Sequence, residues 1–155
     1  TQDKKIAALT QENRKGCVLL VNKWDKAKGI AVPEYVSAVH REVPFMDHCP
    51  IVCVSAQNGF NVRQSVMAID HVAAQTVATL STGLLNRVIG TACNRVQAPP
   101  VGGRRLKEFY LTQVGKAPLT IQLFVNDPEL VKPAFREYLV RELRAGFGLE
   151  GAPVV

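Results

Sequence analysis

Residues 17–25 read "CVLLVNKWD": a continuously apolar run, Cys17 to Val21, breaks without transition into Asn22, Lys23, Trp24 and Asp25. Unbroken rather than alternating apolarity is the pattern of a parallel strand covered on both faces. Its end in an amide, a cation and a carboxylate marks the carboxyl edge of such a strand, where open parallel sheets bind their ligands. A second apolar run, "PIVCVSA" at 50–56, ends in Ser55 and Ala56. Between the two lies "PEYVSAVHREV" at 33–43, with Pro33 suited to a first helical turn and Val36, Val39 and Val43 on one stripe. Strand, helix, strand is a parallel βαβ unit with a right-handed crossover, and it would bring the two polar strand ends side by side.

The rest of the chain is organised around that unit. "QDKKIAALTQEN" at 2–13 has a short amphipathic pattern, and "NVRQSVMAIDHVAAQTVATL" at 61–80 predicts a long helix. The pattern changes near residue 80, so 1–79 and 80–155 are read as two domains. In the second, Ser81 or Thr82 can cap a helix bearing Leu84, Leu85, Val88 and Ile89. The Pro/Gly loop "QAPPVGGRR" at 97–105 leads to "LKEFYLTQV" and "LTIQLFV", a predicted antiparallel hairpin split by "GKAP". "KPAFREYLVRELRAGFG" at 132–148 predicts a helix ended by Gly146 or Gly148, and 152–155 a short last strand. The fold class is thus α/β with a parallel sheet, followed by α+β.

Composition narrows the functional classes. Of 155 residues, 47% are hydrophobic and 21% charged, the balance of a chain that builds a core. No apolar stretch approaches the roughly 20 residues of a membrane-spanning helix, so no membrane partner is expected. Thr1 stands where a start methionine would, and the chain reads as part of something longer. Cys17, Cys49, Cys53 and Cys93 are scattered, three of them in apolar runs, which suits thiols packed in a reducing, cytoplasmic setting. His40, His48, Cys49 and Cys53 form the one cluster resembling metal ligands, but no CxxC pair or second ligand pair accompanies them, and no metal site is assigned. The net charge of +6 lies mainly in the second half: residues 81–155 carry ten basic and six acidic side chains, against nine and seven in 1–80. Such a surplus suits an anionic partner such as RNA, or a solvated face.

The strand-end residues suit a guanine base. Its N1–H and exocyclic amino group form a donor pair that a short carboxylate, Asp25, can accept together, whereas adenine has no N1–H. Asn22 and the Ala56 backbone N–H are expected to donate to the guanine O6, and the Lys23 stem to lie along the flat face of the base. Ser55, leaving the second strand with Ala56, belongs to the same candidate site.

These residues also carry a family resemblance. "NKWD", preceded by "QDKKIA" at 2–7, resembles the second GTPase domain of the Der (EngA) tandem GTPases. "PPVGGRRLKEFYLTQVG" at 99–115, "LFVNDPEL" at 123–130 and "YLVRELRAGFGLEGAPV" at 138–154 resemble that family's C-terminal KH-like domain. The resemblance implies that 1–79 is the C-terminal half of a P-loop GTPase domain, lacking the P-loop and switch regions, and that 80–155 is KH-like. It further implies GTP or GDP as ligand, with Mg2+ only alongside the phosphate-binding half. As partners it implies the remaining GTPase domains of the same protein and the large (50S) ribosomal subunit or its rRNA, in whose biogenesis the family acts.

The phosphate half of such a site is absent from the sequence. Hydrolysis needs a G-x-x-x-x-G-K-[ST] loop, and the one Gly-Lys pair, Gly115-Lys116, continues into Ala117 and Pro118 with no glycine five residues earlier. This segment alone is therefore expected to recognise the base without turning over GTP, and no catalytic residue is assigned. Gln57 stands where related GTPases often have Lys. Candidate RNA contacts are Arg104, Arg105 and Lys107, with Arg136, Arg141 and Arg144 on the last helix. "GLEG" at 148–151 has the letters of a KH phosphate loop, but its position after a helix and its Glu150 favour a C-cap and turn. The alternative function is a non-catalytic RNA-binding or structural module.

Overall fold

A computed structural model describes residues 1–155, which divide into two compact units: Thr1–Val77 with Glu150–Pro153, and Ala78–Leu149 with Val154–Val155. The first unit contains helix α1 (Gln2–Glu12), strand β1 (Leu19–Val21), helix α2 (Val32–Glu42), strand β2 (Ile51–Cys53) and helix α3 (Val62–Thr76). β1 and β2 pair in parallel, Leu19 with Ile51 and Val21 with Cys53. β1 begins two residues into its apolar run, where the Cys17 N–H bonds the Gly151 carbonyl instead of the neighbouring strand.

The expected two-sided covering of β1 is only half realised. Leu19 packs toward Ala7, Met46 and Cys49, whereas Leu20 is 48% exposed. Leu20 lines an open groove of about 410 Å³ with Val18, Ile69, Val72 and Ala73. Helix α3 flanks this side of the strand without closing over it.

Gly151 fastens its short segment to the first unit. The Cys17 N–H donates to its carbonyl at 2.9 Å, and its own N–H donates to the His48 carbonyl at 2.7 Å. With φ at +64°, and with a Cβ that would lie 2.4 Å from the Cys17 carbonyl oxygen, only glycine fits this position.

The second unit contains α4 (Thr82–Arg95), β3 (Glu108–Gly115), β4 (Thr120–Val125) and α5 (Pro133–Phe147). β3 and β4 form the antiparallel hairpin, and α4 packs against both α5 and β3. Leu85, Ile89, Leu111, Leu119, Leu139 and Leu143 build the core. Ser81 is the N-cap of α4 but makes no side-chain cap bond. Gly148 ends α5 in the left-handed conformation, so "GLEG" is a helix end and turn. The last strand shrinks to one parallel bridge, Leu119 with Val154, because only the Leu119 carbonyl and the Ile121 N–H are met, both by Val155.

Candidate functional site

The loops that leave β1 and β2 are tied together by two clasps. Asn22 Oδ1 accepts from the Lys23 N–H at 2.7 Å and from the Ala56 N–H at 3.2 Å. Asp25 Oδ1 accepts from the Ser55 hydroxyl at 2.6 Å. The backbone prepares this meeting: the Val54 N–H donates to the Val21 carbonyl at 2.8 Å and the Trp24 N–H to the Val54 carbonyl at 3.0 Å, extending the parallel pairing past both strands. Lys23 adopts φ +64°, and the chain turns there into a short 3-10 turn over Trp24–Lys26. Such a left-handed residue is uncommon outside glycine and is held by the surrounding bonds.

All five residues expected at this site, Asn22, Lys23, Asp25, Ser55 and Ala56, therefore meet at one edge of the sheet. Their exposure divides them. Ser55 is fully buried, while Asn22, Lys23, Asp25 and Ala56 are exposed. Ser55 is the internal support and Asp25 the outward-facing acceptor, a carboxylate oriented through one oxygen while the other makes no hydrogen bond within the protein. The Asn22 oxygen is occupied by the second loop, so Asn22 joins the loops in addition to offering its amide N–H groups.

Two supports were not read from the sequence as part of the site. The Trp24 ring meets Tyr35 of α2 edge-on, 5.4 Å between centroids, which fixes the residue preceding Asp25. Asn61 donates from its side chain to the Cys53 carbonyl at 3.0 Å, bracing the end of β2. Tyr35 stood in the sequence beside the apolar stripe of its helix, and its aromatic ring was the one available signal. No group of three His, Cys, Asp or Glu residues is placed to hold a metal ion, and no helix is long and apolar enough to cross a membrane.

The six basic candidates in the second unit do not form one surface of equivalent residues. Arg104 bonds Asp127 at 2.6 Å and lies 4.0 Å from Glu129, and Arg144 donates to the Leu149 carbonyl at 3.0 Å. Both serve the unit's own structure. Arg105, Lys107, Arg136 and Arg141 are exposed, Arg141 standing 5.9 Å over the Tyr138 ring.

Comparison with known proteins supplies the family. Residues 79–155 match the KH-domain-like model of EngA bacterial GTPase enzymes, C-terminal. Over 155 residues, 99% of the chain, it is 43% identical to GTPase Der of Natranaerobius thermophilus and 41% identical to GTPase Der of Alkaliphilus oremlandii. Against GTPase Der of Protochlamydia amoebophila it is 35% identical over 154 residues. The chain spans about a third of the length of these relatives, 35%, 35% and 32% respectively. With the KH-like model matching the second half and the relatives matching along 99% of the chain, the chain belongs to the Der (EngA) GTPase family, whose C-terminal region it resembles.

Proposed function

We propose that the first unit is the base-recognising end of a P-loop GTPase domain. The whole chain then serves a cytoplasmic GTP-binding, GTP-hydrolysing factor of large ribosomal subunit biogenesis, whose remaining GTPase domains are its intramolecular partners. The observation that carries this reading is the Ser55–Asp25 hydrogen bond, which orients a carboxylate at the carboxyl edge of a parallel pair. Asp25 accepts the N1–H and amino group of guanine, Asn22 amide N–H groups serve the O6 side and Lys23 lies along the ring; the Ala56 N–H, expected to donate to O6, is bonded to Asn22 Oδ1 at 3.2 Å and reaches the base only by giving up or sharing that bond. GTP or GDP is the ligand, and Mg2+ joins only with the phosphate-binding half. Exposed apolar residues beside β1, Leu20 at 48% and Ile69 at 50%, support a unit that adds to further sheet.

In this reading the chain contributes selectivity rather than turnover. A hydrogen bond to a charged group contributes about 1.5–3 kcal/mol, which only partly offsets the entropy lost on binding. Guanosine affinity of this chain is then on the order of millimolar or weaker. The KH-like domain contacts rRNA through Arg105, Lys107, Arg136 and Arg141, while Arg104 and Arg144 hold local structure.

Trp24 is the only tryptophan and adjoins Asp25, so its fluorescence reports on the site. Titration should show a response to guanosine and none to adenosine at equal concentration. Equal responses to the two nucleosides would overturn guanine recognition. In a protein that also holds the phosphate-binding half, Asp25→Asn should move preference from GTP to xanthosine triphosphate. The xanthine 2-carbonyl accepts from the new amide and N1–H still donates to its oxygen; unchanged GTP affinity would remove Asp25 from the site.

A further inference from the structure

Cys17 and Cys49 face each other at the end of the parallel pair opposite the guanine site. Cys17 precedes β1 and Cys49 precedes β2, and the Gly151 backbone bridges the two segments there, accepting from the Cys17 N–H at 2.9 Å and donating to the His48 carbonyl at 2.7 Å. The Leu19 N–H donates to the Pro50 carbonyl at 2.9 Å in that same stretch. Both side chains pack on the small cluster of Ala7 and Met46, and the two thiols are hydrogen-bonded to each other.

The two sulfurs differ in access. Cys17 is half-buried and lines the open groove with Gly16, Val18 and Val72, whereas Cys49 is buried behind it. We propose that Cys17 and Cys49 form a peroxide-responsive dithiol, Cys17 as the attacking sulfur and Cys49 as the resolving one. The Cys17 thiolate attacks one oxygen of hydrogen peroxide; the S–O bond forms, the O–O bond breaks, and the departing hydroxide takes a proton and leaves as water. The resulting sulfenic acid is attacked by the Cys49 sulfur. The S–S bond forms, the S–O bond breaks, and the hydroxide leaves with the Cys49 proton as a second water. Two thiols and one peroxide thus give one disulfide and two waters.

The surroundings of the four thiols favour this pair. The hydrogen bond from Cys49 lowers the Cys17 pKa to about 7 against the opposing effect of burial. Burial raises that of Cys53, and burial with the nearby Glu108 pushes Cys93 up to about 12. The thiolate is the reactive form, so near neutral pH Cys17 is the one poised to react. The resulting cross-link would fix the start of β1 against the start of β2. It does not depend on guanine recognition at the other end of the strands.

The test is brief exposure of the unaltered protein to hydrogen peroxide at pH 7.4, alkylation in denaturant, and mass spectrometry of the intact chain and its peptides. The expected result is a loss of two hydrogens, a Cys17–Cys49 cross-linked peptide pair, and alkylated Cys53 and Cys93, all reversed by dithiothreitol. Cys17 should be consumed at least about ten-fold faster than Cys93. In Cys49→Ala the disulfide should vanish and dimedone should trap the sulfenic acid on Cys17. Oxidation of Cys17 no faster than of Cys93, pairing with another cysteine, or its accumulation as sulfinic acid in the unaltered chain would each overturn the proposal.

Discussion

The Ser55 hydroxyl lies 2.6 Å from Asp25 Oδ1 although thirty residues separate them, and Ser55 is wholly buried while Asp25 is exposed. A buried donor thus sets the angle of a surface carboxylate. Removing it in Ser55→Ala costs Asp25 one ordering bond, about 1 kcal/mol. Guanosine affinity, read from Trp24 fluorescence, should fall roughly five-fold, while the far-UV spectrum stays the same. If affinity does not change, Ser55 orients nothing that the base uses.

The two glycines of "GLEG" separate conformational cost from steric cost. Both have positive φ, +63° at Gly148 and +64° at Gly151, but a Cβ meets nothing at Gly148 and meets the Cys17 carbonyl at 2.4 Å and Val72 Cγ2 at 2.7 Å at Gly151. Gly148→Ala should destabilise by about 1 kcal/mol. Gly151→Ala should cost about 3 kcal/mol or more, since backbone must move. Chemical denaturation, followed by Trp24 fluorescence for the first unit and by circular dichroism for the second, measures both. Equal small losses would mean that the Gly151 segment is not held against β1.

What the sequence could and could not disclose follows from the range of the interactions. The polar break after Val21 and the Ser-Ala pair after Val54 are local, so the parallel pair and the meeting of its two polar ends were legible from them. The end of α3 was not. The sequence supports a helix to residue 80, yet α3 stops at Thr76, and beyond it Gln113 of β3 donates to the Ala78 carbonyl at 2.9 Å and accepts from the Leu80 N–H at 2.8 Å. A side chain 33 residues distant supplies the partners that another helical turn would have supplied. Asn86 does the same for β3, accepting from the Leu111 N–H at 2.8 Å and donating to its carbonyl at 2.9 Å. Such amide contacts have no periodicity to betray them. The open groove beside Leu20 was illegible for another reason: an unbroken apolar run states that both faces are apolar, not that both are covered.

Cys17 should give the first unit a pH dependence of definite sign. Its folded pKa, about 7, lies below the ordinary 9.0 because the Cys49 thiol hydrogen-bonds to it, and burial opposes this. Between those values the unfolded state binds more protons, so the stabilising contribution is complete above about pH 9 and is lost as pH falls through about 7. Under reducing conditions, the difference in melting temperature between the unaltered protein and Cys17→Ser should widen from pH 7 to pH 9. A constant difference across that window would show that no such thiolate forms.

The basic residues of the hairpin edge should separate by role when RNA binding is measured. Asn126 accepts from the Lys107 N–H at 2.7 Å and donates to the Arg105 carbonyl at 3.0 Å, which fixes the backbone and leaves both cationic side chains exposed. Lys107→Glu and Arg105→Glu should therefore weaken binding to ribosomal RNA without altering the fold. Removing one phosphate contact should reduce the slope of log affinity against log salt by roughly 1. Arg104→Glu is different in kind, since it would set a third carboxylate against Asp127 and Glu129 and should lower the melting temperature of the second unit. Filter binding across a salt series, paired with thermal denaturation, distinguishes these outcomes. An unchanged slope in the Arg105 and Lys107 variants would place the RNA contact elsewhere on the chain.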